Sequence, residues 1–212
     1  MDQAGPFSKD AFGCAALLDA MASYDEKDST STKRDNINFE KSLSKDFGSL
    51  NIGVIKNIEK LGISEDVINA YETSKTVLTG LGHKLIEVDF SELSSGICSY
   101  YVIAPAECSS NLSRFDGVKY GYRSEGEKDI ANLYMNTRSD GFGDEVKKRI
   151  LIGTHVLSAG FYDAYYLQAQ KVRRMIKVKF EDFFRDVDLI FMPTTLDQAF
   201  EKNRKSDDPN RM

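Results

Sequence analysis

Leu157-Ser158-Ala159-Gly160-Phe161-Tyr162-Asp163-Ala164-Tyr165-Tyr166-Leu167-Gln168-Ala169-Gln170-Lys171-Val172-Arg173 is the most distinctive stretch of this 212-residue chain. Beyond it, apolar residues recur at helical spacing and predict a helix over residues 159–184 with one buried face. That face consists of Phe161, Tyr165, Val172, Ile176, Phe180 and Phe183. The apolar run Asp188-Leu189-Ile190-Phe191-Met192, which ends at Pro193, then predicts a short strand.

An alternating pattern earlier in the chain predicts an α/β fold. Residues 50–55 and 83–89 are apolar enough to form strands, and a helix that begins at Ser64 lies between them. Its apolar face consists of Val67, Ala70, Tyr71, Ser74, Val77, Leu78 and Leu81. Two strands joined by a helix favour a right-handed crossover, so we expect a parallel or mixed β-sheet covered by helices.

The other segments divide into helices and polar regions. Helices are predicted over residues 9–23, with Ser8 as the N-cap, over residues 94–112, and over residues 144–153. Three regions lack periodicity. They are residues 24–49, predicted to be a surface loop, residues 114–140, predicted to be an irregular excursion, and residues 198–212, predicted to be a disordered or truncated tail.

Composition excludes several function classes. A net charge of −5 argues against broad electrostatic binding of nucleic acid. Three cysteines without a C-x-x-C pair fit a reducing compartment and argue against a zinc site. The chain has no apolar run of about 18 residues that would predict a membrane span, and its first residues do not resemble a signal or transit peptide.

Motifs for catalysis are weak when the residues are taken alone. The chain contains no G-x-S-x-G elbow and no phosphate-binding loop, and Gly141-Phe142-Gly143 is a poor match to a dinucleotide fingerprint. His155 lies between apolar neighbours and is predicted to be a core histidine, whereas His83 opens a strand and is predicted to be exposed. Patterns alone therefore predict an α/β domain without an assigned reaction.

Two further segments extend the argument: Ala104-Pro105-Ala106-Glu107-Cys108-Ser109-Ser110-Asn111-Leu112-Ser113-Arg114-Phe115-Asp116-Gly117, and Gly141-Phe142-Gly143-Asp144-Glu145-Val146-Lys147-Lys148-Arg149-Ile150. With the opening stretch, in this order and spacing, they resemble the C-terminal half of the A subunits of glutamyl-tRNA(Gln) amidotransferases, within the amidase-signature family. The resemblance starts at Asp2-Gln3-Ala4-Gly5-Pro6-Phe7. It implies a partial amidase domain over residues 1–212, with a mixed sheet that is incomplete.

The family's reaction requires catalytic residues that we do not expect in these 212 residues. Its members use a Ser–cis-Ser–Lys triad, and the A subunits hydrolyse glutamine to glutamate and ammonia. Aligned on the run at residues 2–7, both serines and the lysine would precede residue 1. We therefore expect no catalytic residue here and no activity from the chain alone; Ser109 and Ser110 lack the accompanying lysine and Gly-rich turn.

The resemblance also implies a substrate-binding role for three residues. Arg149 corresponds to the arginine that meets the glutamine α-carboxylate, and Tyr100, in the pair with Tyr101, corresponds to a tyrosine near the substrate. Two alternatives stay open, namely an i,i+4 ion pair between Arg149 and Glu145, and ordinary core packing of Tyr100. The family's acidic residue for the amino group is not assigned, because the alignment fades near Asp207-Asp208-Pro209.

The partners implied by the resemblance are glutamine and the B and C subunits of the amidotransferase. The assembled complex uses ATP and magnesium to form Gln-tRNA(Gln); no cofactor or metal is expected in this chain, and tRNA is expected to bind mainly through the B subunit. The basic residues near the end are accordingly predicted to form a solvated helix face. They are Lys171, Arg173, Arg174, Lys177 and Lys179. The implied location is the cytoplasm of a bacterium or the mitochondrion of a eukaryote, away from membranes.

Two other functions remain open at this point. The chain could belong to another amidase-family hydrolase of fatty-acid or aryl amides, although a neutral amide gives the Arg149 guanidinium nothing to pair with. Alternatively, it could be a non-catalytic binding or complementing module, with the upstream half supplied by another chain.

Overall fold

Three parallel strands lie side by side in the computed structural model, which describes residues 4–33, 35, 37–126, 128–200 and 202. They are β1 (Asn51–Ile55), β2 (Lys84–Val88) and β3 (Leu189–Phe191), in the order β2-β1-β3. In the register, Ile52 of β1 faces Leu85 on one side and Leu189 on the other. The predicted α/β architecture is confirmed, and the three described strands are all parallel.

The central strand is buried because its sequence is apolar without alternation, which is typical of a parallel strand that is covered on both faces. Ile52 and Val54 are each 3% exposed, and because they lie on either side of Gly53 they point to the same face. On the opposite face, a Cβ at Gly53 would lie 3.4 Å from the side chains of Ile190 and Val187. The core therefore continues on both sides of β1.

Helix α3 (Glu65–Gly80) makes the crossover from β1 to β2 and is fastened by Tyr71. The Tyr71 hydroxyl accepts a hydrogen bond from Ile55 N at 2.9 Å and donates one to Phe191 O at 3.1 Å. Its ring stacks on Phe191 with the centroids 5.0 Å apart. Ser64 is the N-cap residue, as predicted, but its hydroxyl makes no capping hydrogen bond. Tyr71 therefore joins the carboxyl ends of β1 and β3 to α3.

Four α-helices lie between β2 and β3 in the described part of the chain. They are α4 (Gly96–Leu112), α5 (Ile130–Gly141), α6 (Asp144–Val156) and α7 (Leu167–Phe183), with a π-helical turn at Tyr162–Tyr166 before α7. Helix α5 occupies part of the segment predicted to be irregular, and the π turn replaces the start of the long predicted helix. Of the predicted buried face, Phe180 and Phe183 pack against Phe90, whereas Phe161 and Tyr165 are exposed.

Residues Met1–Ser49 form a separate compact unit from Leu50–Met212. Helix α1 (Ala11–Met21) is capped by Asp10, whose carboxylate accepts from Gly13 N at 2.8 Å, so the prediction of Ser8 as the cap is wrong. A short helix, α2 (Phe39–Ser42), lies within the predicted surface loop. Of the predicted tail, residues 201 and 203–212 lie outside the described part of the chain. No helix that the structure describes is both long enough and apolar enough to cross a membrane.

Candidate functional site

Arg149 lies on α6, one turn after the helix begins. The helix starts with two carboxylates, Asp144 and Glu145, which are favourable beside the positive end of the helix dipole. Arg149 Nε donates to Glu145 Oε1 at 3.2 Å, so the ion pair that the spacing allows is present. The side chains of Arg149 and Glu145 are 41% and 67% exposed, which leaves the guanidinium accessible to a solute.

Tyr100 of α4 meets the same guanidinium from the neighbouring helix. Hydrogen bonds with the Tyr100 side chain and then with Glu145 are the main reasons that the pKa of Arg149 is raised above its ordinary value. Tyr100 is 43% exposed, so the alternative of ordinary core packing is wrong for this residue. The ring of Tyr101, 49% exposed, packs edge-on against Tyr100 with the centroids 5.5 Å apart. The three residues predicted for substrate binding are therefore brought together.

The contact between α4 and α6 is built around Gly153. A Cβ at this position would lie 1.9 Å from Pro105 O and 2.7 Å from Ser109 Cβ, so only glycine permits the two helices to come this close. Beside it, the hydroxyls of Ser109 and Thr154 are 2.9 Å apart, and the Thr154 hydroxyl also bonds Ile150 O at 2.8 Å. Sequence reasoning missed this contact. The available signal was a glycine inside a helical pattern, which often marks close packing.

A second residue that sequence reasoning missed is Arg138 of α5. Its Nη1 donates to Leu112 O at 2.8 Å and to Phe115 O at 3.0 Å, and its guanidinium lies 5.1 Å from the centre of the Phe142 ring. The first bond satisfies the carbonyl of Leu112, the last residue of α4, where a helix leaves its acceptors unpaired, and the second satisfies the carbonyl of Phe115, three residues beyond the helix. Arg138 therefore fixes the end of the helix that carries Tyr100.

The arrangement provides an exposed cation that can bind an anion. A guanidinium has five N–H donors, and the contacts with Glu145 and Tyr100 leave enough of them for a bidentate pair with a carboxylate. Ser109 is buried and its hydroxyl is paired with Thr154, which gives it no resemblance to an activated serine. Within the described residues, no cluster of three or more His, Cys, Asp or Glu side chains could hold a metal ion.

The burial of the two histidines differs from the predictions. His155 is exposed, with its ring 4.1 Å from that of Phe161, so its prediction as a core histidine is wrong. His83 is half-buried rather than exposed, because its Nδ1 accepts a hydrogen bond from Leu50 N at 3.3 Å. Neither position suggests general base catalysis.

The basic residues of α7 remain a mostly solvated face. Lys171, Arg173, Arg174 and Lys177 are exposed, and Lys177 forms an ion pair with Glu181.

An open cleft of about 500 Å³ lies at the start of α5. Its lining residues are separate in sequence from the basic face of α7 and from Arg149. It is lined by Arg123, Ser124, Glu125, Gly126, Lys128, Asp129, Ile130 and Leu133.

Comparison with known proteins identifies the family. The model of the family described as Amidase matches residues 1–212. The chain belongs to the amidase family. Among curated relatives, the A subunits of glutamyl-tRNA(Gln) amidotransferase from Nitrosomonas europaea and Cellvibrio japonicus are 49% and 50% identical over 212 residues. Each comparison covers 100% of this chain and 44% of the relative, so the chain spans less than half the length of the proteins it matches.

Solved structures of the amidase family agree. The A subunit of glutamyl-tRNA(Gln) amidotransferase from Thermotoga maritima superposes with a TM-score of 0.69 at 31% identity, over 97% of this chain and 39% of that one. A bacterial aryl acylamidase superposes with a TM-score of 0.62 at 17% identity, over 98% and 42%, and shows the shared fold alone. The predicted resemblance to the C-terminal half of an amidotransferase A subunit is confirmed.

Proposed function

We propose that this amidase-family chain supplies the part of a glutamine-hydrolysing subunit that holds the substrate's α-carboxylate. The observation that supports this role is the exposed Arg149 guanidinium, which Glu145 holds at 3.2 Å and which Tyr100 meets from α4, 49 positions earlier in the chain. Arg149 pairs with the carboxylate, Tyr100 orients the guanidinium, and Tyr101 forms an adjoining aromatic wall.

The electrostatics fit an anionic substrate group. An arginine side chain is charged across the physiological pH range, and the contacts with Tyr100 and Glu145 raise the pKa of Arg149 further. A charge-assisted hydrogen bond contributes about 1.5–3 kcal/mol, which corresponds to roughly a 10- to 100-fold change in affinity. An amide that lacks a carboxylate would gain nothing from this cation.

The hydrolytic step needs groups from outside these 212 residues. By resemblance, the Ser–cis-Ser–Lys triad lies in the portion of the A subunit that precedes this one, so we assign no nucleophile here. The ammonia released from glutamine would pass to the B and C subunits of the amidotransferase. There it would be used with ATP and magnesium to form Gln-tRNA(Gln), with tRNA held mainly by the B subunit.

Ammonia release tests this division of labour. The purified 212-residue polypeptide should hydrolyse no glutamine above background. A chimera in which it replaces the matching part of the Nitrosomonas europaea A subunit, assembled with that enzyme's other subunits, should hydrolyse glutamine. Turnover by the 212 residues alone that disappears on replacing one of their own serines would contradict the proposal.

A matched substitution tests the carboxylate role within the same chimera. Arg149→Lys retains the charge but loses the bidentate fork, so it should raise the glutamine KM by roughly 10- to 100-fold. Amidation supplied with free ammonia should stay near the unsubstituted rate. If both activities fell together, Arg149 would be explained by its helix-surface pair with Glu145 instead.

A further inference from the structure

Glu145 bonds one atom of the Arg149 guanidinium, and this contact limits which edge of the guanidinium can face a ligand. Its Oε1 accepts from Nε, the guanidinium nitrogen bonded to the side-chain stem, at 3.2 Å. When Nε is occupied, the edge that remains for a bidentate anion is the one formed by the two terminal nitrogens. We infer that Glu145 is a positioning residue, which orients Arg149 so that this terminal edge meets the substrate carboxylate.

The location of Glu145 favours a role in orienting the Arg149 side chain over a role in stabilising α6 by charge pairing. The pair lies one helical turn apart on the same helix, with both partners substantially exposed, and such pairs contribute little to stability. A long arginine side chain has several rotatable bonds, and fixing them before a ligand arrives removes part of the entropic cost of binding. Tyr100 on α4 contacts the guanidinium from one helix, and Glu145 on α6 bonds it from the other.

A competing effect makes the direction of change informative. A carboxylate beside Arg149 also offsets its positive charge, and it could compete with an incoming anion for the same N–H groups. If orientation is the larger effect, removing Glu145 weakens glutamine binding. If competition is larger, removing it strengthens glutamine binding. This role rests on the proposed function, because it requires Arg149 to bind the substrate carboxylate.

The chain offers a matched control in the same turn of α6. Asp144 is also a carboxylate at the helix start, and it pairs with Lys147 at 3.5 Å rather than with Arg149. Asp144→Ala and Glu145→Ala each remove one negative charge from the helix N-terminus, so the general effect of the helix dipole is common to both. Glu145→Gln keeps an acceptor oxygen for Nε while it removes the charge.

The experiment measures glutamine KM and kcat for these variants in the assembled chimera. Glu145→Ala should raise KM by about two- to fivefold with kcat within about twofold, because an exposed ion pair can contribute only this much to the orientation of Arg149. Glu145→Gln should recover KM to within about 1.5-fold of the unsubstituted enzyme, and Asp144→Ala should leave it unchanged. With 4-aminobutanamide, which is glutamine without its carboxylate, Glu145→Ala should have no effect.

Several results would overturn the positioning role. These are a lower or unchanged KM in Glu145→Ala, an equal change in Asp144→Ala, no recovery in Glu145→Gln, or an equal loss with 4-aminobutanamide. Arg149→Lys is measured in parallel to separate the two claims. If Arg149→Lys raises the glutamine KM and Glu145→Ala does not, only the role of Glu145 fails. If Arg149→Lys has no effect, the proposed function fails, and the positioning role fails with it.

Discussion

Gly153 of α6 lies against Pro105 of α4 so closely that a Cβ at Gly153 would come within 1.9 Å of the Pro105 carbonyl oxygen. Pro105 is buried within α4 and lies five positions after Tyr100 in the chain. Gly153 lies four positions after Arg149. About one helical turn therefore separates each candidate substrate-binding residue from this contact point. The spacing of the two helices at Gly153 sets how closely Tyr100 can approach Arg149.

Gly153→Ala should separate α4 from α6. The new methyl group meets backbone atoms, which cannot rotate away, so we expect a loss of about 1–3 kcal/mol in stability and a raised glutamine KM in the assembled chimera. Gly80→Ala is the matched control, because Gly80 is the last residue of α3 and a Cβ there has no atom within 4 Å. It should stabilise the protein by about 0.4–1 kcal/mol. Thermal unfolding of both variants checks this, and equal melting temperatures would contradict the close packing.

Tyr71→Phe should destabilise the sheet. It removes the acceptor of the buried Ile55 N–H and the donor to Phe191 O, at a cost of about 1–3 kcal/mol, while the stacked ring is retained. Denaturant unfolding of the two proteins at neutral pH measures the difference. A difference below about 0.5 kcal/mol would show that these two hydrogen bonds contribute little.

The same pair of proteins should differ in their response to alkaline pH. Burial raises the pKa of Tyr71 above its ordinary value, and the hydrogen bond from Ile55 N opposes that rise in part. A folded-state pKa above the unfolded value of about 10 means that this contribution is complete below pH 10 and is lost as pH rises through the folded pKa. The stability advantage over Tyr71→Phe should therefore shrink above about pH 10. An advantage that grows in this range would contradict the assigned direction.

The apolar face of α3 should make the 212-residue polypeptide prone to association. Val77 and Leu81 were predicted to be buried, but they are 57% and 68% exposed. Val77→Lys combined with Leu81→Lys should reduce the binding of a hydrophobic dye and shift sedimentation towards the monomer, with stability changed by no more than about 1 kcal/mol. A polypeptide that is monomeric and binds no dye before substitution would contradict this prediction.

The sheet could be predicted from the sequence because its information is local. Each strand is a short apolar run, and the helix between β1 and β2 implies a parallel crossover. Helix α5 escaped prediction because only Leu133 and Thr137 are buried along its length, which is too few for a visible apolar period. Its start is marked by Asp129, whose carboxylate accepts from Asn132 N at 2.9 Å.

The candidate site was only partly predictable. Motif resemblance selected Arg149, Tyr100 and Tyr101, and the i,i+4 spacing anticipated the pair with Glu145. The meeting of Tyr100 with Arg149 joins two helices, and no periodicity in the sequence reports such a contact. The position that permits it is Gly153, which as a single glycine in a helix gives no sign of what it packs against.

The most direct test of the central claim compares two amides in Arg149→Lys. Unsubstituted and Arg149→Lys chimeras would be assayed for kcat/KM with glutamine and with 4-aminobutanamide. If Arg149 binds the α-carboxylate, the substitution should lower kcat/KM for glutamine by roughly 10- to 100-fold and leave that for 4-aminobutanamide within about threefold. An equal loss for both amides, or no loss for glutamine, would show that Arg149 does not recognise the carboxylate.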